Sequence, residues 1–469
     1  MSMFNIALSG LNAAKQALNT TSHNIANANN PSYTRQEVLV TSVEGVTSGS
    51  GAIGRGVNVQ NVRRLDNEFL TDRLNQLASQ LSFSEARAGR LDNLDRISSS
   101  SDTSLEGAMQ AFFQAAQDLS VRPSDESLKQ NFLFAAEEIS TRLNGLFGNA
   151  ATLAQETNLD IQASIDSVNT LSEQIAELNI QISDSTNFVG DVRLEPNDLI
   201  DRRDALIKQL SSEIELQINP LENGRLNIST KLGVPLVSEG KSFPLETKPG
   251  PNGQGLTIIR KLTIEKAEKV NGVATGNSIQ ETIEIPVPDR EFGKAKLGGL
   301  IQFRDGDLRN YVNGLNKLAG RIAAESTTIQ TAGGKPALFT FEGTPKTFKM
   351  GPGATMDQIA IKSGTNGNDL IARMADLFTT SGDSAVSIRQ EYRNLTTTVA
   401  NSAAGAKGDI EARQVIRDQI EADRSGFSGV NLDEEAANLL RYQQAYSASG
   451  KVIAISKDLF QELLDIAGR

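Results

Sequence analysis

Both ends of this 469-residue chain carry apolar residues at seven-residue intervals, and that matched pattern constrains the fold more than any other feature. Near the start, Phe4, Leu11, Leu18 and Ile25 share one position of the repeat, and Ala7, Ala14, Thr21 and Ala28 fall three residues later. Near the end, Leu432, Leu439, Tyr446, Ile453, Phe460 and Ala467 repeat likewise, widened by Val452, Leu459, Leu463 and Ile466. A seven-residue period keeps one stripe on one side of an α-helix, whereas a strand alternates faces at every residue. Two ordinary amphipathic helices packed on a globular core would give each stripe alone. Matched stripes at opposite ends of one chain predict two helices that pair with each other as a coiled coil.

The stop and start signals agree. Asn29-Asn30-Pro31 ends the first helix, because the residue before a proline is driven out of the α region. Asn431 stands before Leu432-Asp433-Glu434-Glu435, a capping residue followed by acids that suit the positive end of a helix dipole. Seven asparagines among the first 30 residues give the first helix a polar, uncharged back. Burying four large seam side chains returns less free energy than ordering the helix costs in backbone entropy. Such an arm is marginal alone and predicts assembly with further copies.

Between the ends, helical spacing recurs from Asp66 to about Ser98, from Leu105 to Leu119, from Ser124 through Leu146, and again from Ile161 to Ile182. Pro196-Asn197 opens a shorter helix to Leu210. The period then changes to two, with Ile214, Leu216 and Ile218 facing Leu226 and Ile228 across Glu222-Asn223-Gly224, a strand–turn–strand pattern. β character continues through residues 256–265 and 279–287. Helical spacing returns from Leu308 to Ile329, a second β-rich insert runs from Gly333 to Lys362, and a long helix starts near Ile388. The fold class expected is mainly α, with a central long-helix bundle and smaller inserted β modules. Four parts follow: 1–40 with 430–469 for terminal assembly; 41–212 with 300–330 and 383–429 as a helical rod; 213–299 as a β-rich module; and 331–382 as a small outer insert.

Composition excludes much chemistry. There is no cysteine and one histidine, which removes disulfides, thiol nucleophiles, Cys/His zinc sites and most Ser-His triads. A net charge of −11 argues against nonspecific attraction to nucleic acid or anionic membrane. Neither a secretory signal peptide nor a membrane-length apolar run is legible, so export, if it occurs, is expected to leave the N-terminal segment uncleaved. Gly49-Ser50-Gly51-Ala52-Ile53-Gly54 spells a dinucleotide fingerprint, but strand-like Val57 and Val59 follow where a phosphate-binding helix is required, so a flexible loop is expected. Ser238-Glu239-Gly240-Lys241 spells an acyl-serine motif without its companion signatures. His23, among asparagines, reads as a packing or polar-face residue. No catalytic, cofactor or metal site is predicted.

Ser22-His23-Asn24-Ile25-Ala26-Asn27 followed by Asn30-Pro31-Ser32-Tyr33-Thr34-Arg35-Gln36 resembles the N-terminal signature of bacterial flagellar axial proteins, the rod, hook and hook-associated family. Residues 428–439, Ser-Gly-Val-Asn-Leu-Asp-Glu-Glu-Ala-Ala-Asn-Leu, with Tyr442-Gln443-Gln444-Ala445-Tyr446, are similar to its C-terminal signature. The signature residues are Asn24, Asn27, Pro31, Tyr33, Arg35, Asn431, Asp433 and Glu434. The wording is closest to the hook-associated members, and the stretches 56–59, 64–70, 197–204 and 297–300 look like further landmarks. Ser32 stands where the family usually has glycine, Ser449-Gly450 replaces an alanine-rich step, and the β inserts look short.

This resemblance implies a non-enzymatic structural subunit of the flagellum, exported through the flagellar type III channel and located at the hook–filament junction. It implies a homo-oligomer in the axial tube that contacts the hook protein and a second junction protein, with an export chaperone covering the C-terminal helix. The assembly interface would comprise Phe4, Leu11, Leu18, Ile25, Leu432, Leu439, Tyr446, Ile453 and Phe460. A hook or distal rod protein is the alternative within the family, against which the long helices between Asp66 and Leu210 speak. An enzyme or sugar-binding module in the β inserts is the alternative of another class.

Overall fold

The computed structural model describes residues 2–44, 46–48, 51–99, 104–189, 192–250, 256–270, 273–342, 347–362, 367–379 and 386–467. The chain opens with helix α1 (Ser2–Ala26), then strands β1 (Gln36–Ser42), β2 (Val46–Ser48), β3 (Gly51–Ile53) and β4 (Val57–Arg64). β1 pairs antiparallel with β4, and β2 with β3, forming a nested hairpin. Gly51–Ile53 is thus strand rather than loop, Gly49 and Ser50 lie outside the described residues, and no helix follows to hold a pyrophosphate.

Four helices come next: α2 (Glu68–Ser99), α3 (Leu105–Val121), α4 (Glu126–Ser185) and, after the short hairpin of β5 (Asn187–Val189) and β6 (Val192–Leu194), α5 (Asn197–Glu213). α4 is one helix of 60 residues where two were expected. The apolar spacing fades between Leu146 and Ile161, yet Ala150 and Leu153 are buried there and hold the helix through the gap. Its cap is Asp125 rather than Ser124: the carboxylate accepts the amides of Ser127 and Leu128 at 2.9 and 3.3 Å.

The first β module contains a four-stranded antiparallel sheet of β7 (Leu216–Pro220), β8 (Leu226–Thr230), β9 (Pro235–Ser238) and β10 (Lys241–Ser242). Beside it lies a three-stranded sheet of β11 (Leu245–Pro249), β12 (Leu256–Val270) and β13 (Val273–Pro286). β7 and β8 make the hairpin expected across Asn223-Gly224, whose glycine adopts the positive φ of 82° that the turn requires. Helices α6 (Lys296–Gln302) and α7 (Arg309–Ala332) follow, joined by a π-helical segment at Phe303–Leu308. The outer insert holds the hairpin of β14 (Phe339–Glu342) and β15 (Thr347–Met350), and also a short helix, α8 (Asp369–Ala375). α8 buries Leu370, Ile371 and Met374, and at seven residues it is too short to show a helical period in sequence. Helices α9 (Ile388–Ser428) and α10 (Leu432–Ala467) complete the chain.

Two large apolar cores, with a small third cluster of Leu178, Ile182 and Ile200, divide the described residues. One joins α2, α3, the first half of α4, α7, α8, α9 and the outer hairpin, with Phe132, Phe339 and Phe378 each in ring contact with Phe112. The other buries the second half of α4, α5 and α6 against both sheets of the β module, so this core crosses the boundary placed at residue 212. The landmark Leu297-Gly298-Gly299-Leu300 acquires a reason here. A β-carbon on Gly298 would lie 2.0 Å from the Gly293 carbonyl oxygen, and one on Gly299 would lie 2.4 Å from the Phe83 carbonyl oxygen. α6 therefore presses backbone to backbone on α2.

Gly299→Ala forces these helices apart and is expected to cost about 1–3 kcal/mol, measured by urea denaturation. Gly89→Ala on α2, where nothing stands within 4 Å of the added carbon, should be neutral or slightly stabilising.

Candidate functional site

Four of the signature and landmark stretches, 22–36, 64–70, 197–204 and 428–439, meet in one place. Asn24, 2% exposed, is its centre. The Asn24 amide donates to the Gln36 carbonyl at 3.0 Å and to Glu435 Oε2 at 3.2 Å. Its Oδ1 accepts from Tyr33 OH at 2.7 Å and from the Gln36 amide at 3.0 Å. Both donors and both acceptor positions of that side chain are thereby used, an inventory that glutamine alone shares, on a stem one carbon longer.

Glu435, 1% exposed, takes Arg35 on its other oxygen: Arg35 Nε donates to Oε1 at 2.8 Å and Nη2 lies at 2.7 Å. Arg35 Nη1 donates to Glu434 at 2.9 Å, and the Arg35 amide donates to the Ser428 carbonyl at 3.0 Å. One guanidinium thus fastens the turn after α1 to the start of α10. Asn431 caps that helix as expected, accepting the amides of Asp433 and Glu434 at 3.0 and 3.4 Å, while Asp433 itself stays exposed.

A second knot ties the same turn to α5. The Thr34 amide donates to Asp201 at 3.1 Å, and Arg64 spans Asp201 at 2.9 Å and Asp204 at 2.6 Å. Asn197 donates to the Val62 carbonyl at 2.9 Å. Burial pushes the Asp201 carboxyl above its ordinary value, although Arg64 and the Thr34 amide draw it the other way. Burial, with Asp198, Asp201 and Glu435 nearby, also drives the Tyr33 hydroxyl far above the usual phenol range, so Tyr33 stays a neutral donor. His23 packs edge-on against the Tyr33 ring with Nδ1 3.1 Å from its hydroxyl, a packing and polar-face role. Asn27 Nδ2 donates back to the His23 carbonyl at 3.0 Å, Pro31 is exposed in the turn, and the Ser32 backbone amide donates to Asn30 Oδ1 at 3.1 Å.

Beyond this joint, α1 and α10 run antiparallel. Asn24 meets Glu435, and near the other end Gly10 faces Ser449, whose Oγ would stand 3.2 Å from a β-carbon on Gly10. The side of α1 that is buried is the small one: Ala7, Ala13, Ala14, Ala17 and Thr21. Leu11, Leu18, Ile25, Leu439 and Ile453 are half-buried. Phe4, Leu432, Tyr446 and Phe460 are exposed, so pairing within the chain leaves much of the expected seam uncovered. By this register Ser2 lies opposite about residue 457, and α10 runs on for about 15 Å. Phe460, Leu463 and Leu464 on that extension are 60, 63 and 56% exposed.

Thr34, Arg64, Asp201, Asp204 and Glu435 join the site without standing among the signature residues named from sequence. Glu435 had a usable signal, because it falls seven residues before Tyr442 and fourteen before Ser449, on the face turned to α1. Among the described residues no cluster of histidine and carboxylate side chains is arranged to hold a metal, and no helix is long and apolar enough to cross a membrane.

Comparison with known proteins matches this architecture. The family model for the flagellar hook-associated protein FlgK helical domain matches residues 91–337. Those for the flagella basal body rod protein and the flagellar basal body rod FlgEFG protein C-terminal region match residues 4–34 and 426–466, the two ends that form the joint. Flagellar hook-associated protein 1 of Escherichia coli (strain K12) is 27% identical, with 99% of this chain and 100% of that protein aligned. The Bacillus subtilis (strain 168) protein of the same name is 22% identical, with 98% of this chain and 96% of that protein aligned. The solved structure of the flagellar hook junction protein FlgK from Burkholderia pseudomallei shares the fold, with a TM-score of 0.63 over 76% of this chain and all of that one, at 14% identity.

Arg35→Ala leaves the Glu435 carboxylate buried without its cation and is expected to destabilise the joint by about 3–5 kcal/mol. Amide exchange in α1 and the first turns of α10 should accelerate, whereas Asp433→Asn should change stability by no more than about 0.5 kcal/mol.

Proposed function

We propose a mode of action from one premise: the chain belongs to the family of flagellar hook-associated proteins. It is a structural subunit of the junction between flagellar hook and filament, in the exported, extracellular part of the flagellum. Its chemistry is that of fitting surfaces. The helical domain that matches the hook-associated family, rather than a mostly β middle, separates it from hook and distal rod proteins.

The terminal arm is the polymerising element. In this reading the joint around Asn24 and Glu435 sets the angle of the arm, and neighbouring copies cover what intramolecular pairing leaves open. Phe4, Leu11, Leu18 and Ile25, with Leu432, Leu439, Tyr446, Ile453 and Phe460, then pack as a coiled-coil wall of the axial tube. The observation that carries this is the exposure of Phe4, Leu432, Tyr446 and Phe460 on helices whose polar joint is buried. Exposed apolar stripes of this size mark binding surfaces or aggregation hazards. Before export, a cytoplasmic chaperone shields the stripe on α10. After assembly, one end of the subunit meets hook protein and the other meets the second junction protein. The parts of the chain divide the work: 1–40 with 430–469 assemble, the helical rod sets spacing, and the inserts 213–299 and 331–382 face outward.

Removing residues 432–469 should leave a folded, soluble remainder that no longer joins hook to filament, read as loss of swimming. Normal motility would contradict the assignment. Phe460→Asp should weaken both chaperone affinity, by calorimetry, and incorporation into flagella. Unchanged chaperone affinity would show that the two do not share a surface.

A further inference from the structure

Where the two apolar cores meet, three helical tracks pass from one to the other. A fourth helix, α9, lies along α2 at the same level through Lys407 to Asp92 and Arg413 to Gln80, and the links between tracks there are largely polar. α2 crosses between Ala86 and Ala88, α4 between Ala154 and Ile161, and the α6–α7 track between Ile301 and Phe303. At this level Arg87 clasps Asp307 with two bonds, of 2.8 and 2.9 Å, linking α2 to the α6–α7 track. Arg90 Nε donates to Asp160 at 3.0 Å, linking α2 to α4. Arg304, 9% exposed, donates to Asn158 at 3.1 Å, linking the α6–α7 track to α4. The three tracks are thus tied pairwise by guanidinium contacts at this level, beside the buried side chains of Phe303 and Leu308. On α4 itself, the buried Thr157 hydroxyl bonds back to the Leu153 carbonyl at 2.7 Å, a contact that favours local bending of a helix.

The π-helical segment Phe303–Leu308 lies in this same layer and includes both Arg304 and Asp307. A π turn contains an extra residue per turn and is a recognised place for helices to change register. Relaxing it to α geometry would lengthen that track by up to about one residue's rise, ~1.5 Å.

We propose that this layer is a compliant waist, at which the two halves of the rod slide against each other by small shear, with the π segment taking up the length difference. Long, flexible guanidinium contacts tolerate such sliding, while interdigitated side chains on either side resist it. Its mechanical use, letting a subunit shorten or lengthen as the structure it joins bends, rests on the junction reading. The compliance itself does not.

The chain contains no cysteine, so spin labels can be placed without background. Val121→Cys with Leu232→Cys spans the waist, and Val121→Cys with Met356→Cys stays within one half; all three positions are exposed. Pulsed dipolar spectroscopy on the full-length free chain should give a distance distribution about twofold wider across the waist than within the half. Arg87→Leu with Asp307→Leu, an apolar replacement that buried pairs commonly tolerate, should narrow the wider one to match. A native cross-waist distribution as narrow as the internal one overturns the proposal, and that comparison needs no change at the waist. A double variant that stays wide also overturns it. Neither result depends on whether the protein joins hook to filament.

Discussion

A buried carboxylate organises this molecule. Glu435 is almost wholly removed from water, and a charge in that position is tolerable only when it is paired and hydrogen-bonded. Its partners come from far along the chain: the amide of Asn24 and the guanidinium of Arg35. Each in turn needs something else fixed. Asn24 requires Tyr33 and the Gln36 backbone, and the turn that presents them requires Asp201, which requires Arg64. The orientation of the terminal helices relative to the rod follows from that chain of obligations.

The helices themselves obey a different logic. α1 approaches α10 on its small face, with glycine against serine at one crossing, so the large side chains are left to the flank. A pair built from the large seam would have buried its apolar surface internally and presented little to anything else. The departure at Ser449, which looks like a weakness beside an alanine-rich step, is the residue that Gly10 faces. Polar specificity at one end and open apolar surface at the other leave a single arm both firmly positioned and apolar on its outer side.

Much of this was legible beforehand, and the losses have physical causes. α1 ends at Ala26, several residues before the stop expected at Asn29-Asn30-Pro31, whereas the two terminal helices themselves and the cap at Asn431 were readable because capping effects are local. The unity of α4 was not, because tertiary burial of Ala150 and Leu153 decides what a weak local pattern leaves open. Helix α8 was hidden by its brevity. At the joint, Asn24, Tyr33 and Arg35 were named, but Asp201 and Glu435 were missed. Acidic residues at helix starts read as solvated dipole partners, and only three-dimensional closure reveals which of them has been taken out of water. The hydrogen-bond saturation of Asn24 could not have been read from spacing at all.

Asn24 and Glu435 stand 411 positions apart. A contact of such extreme sequence separation closes a loop of nearly the whole polypeptide and carries that loop's entropy cost. The joint therefore acts as a test of completeness: a chain cut short by premature termination or proteolysis lacks Glu435 and cannot set its first helix in place. Completeness of each chain is in this sense checked by its own topology, with no separate inspector required.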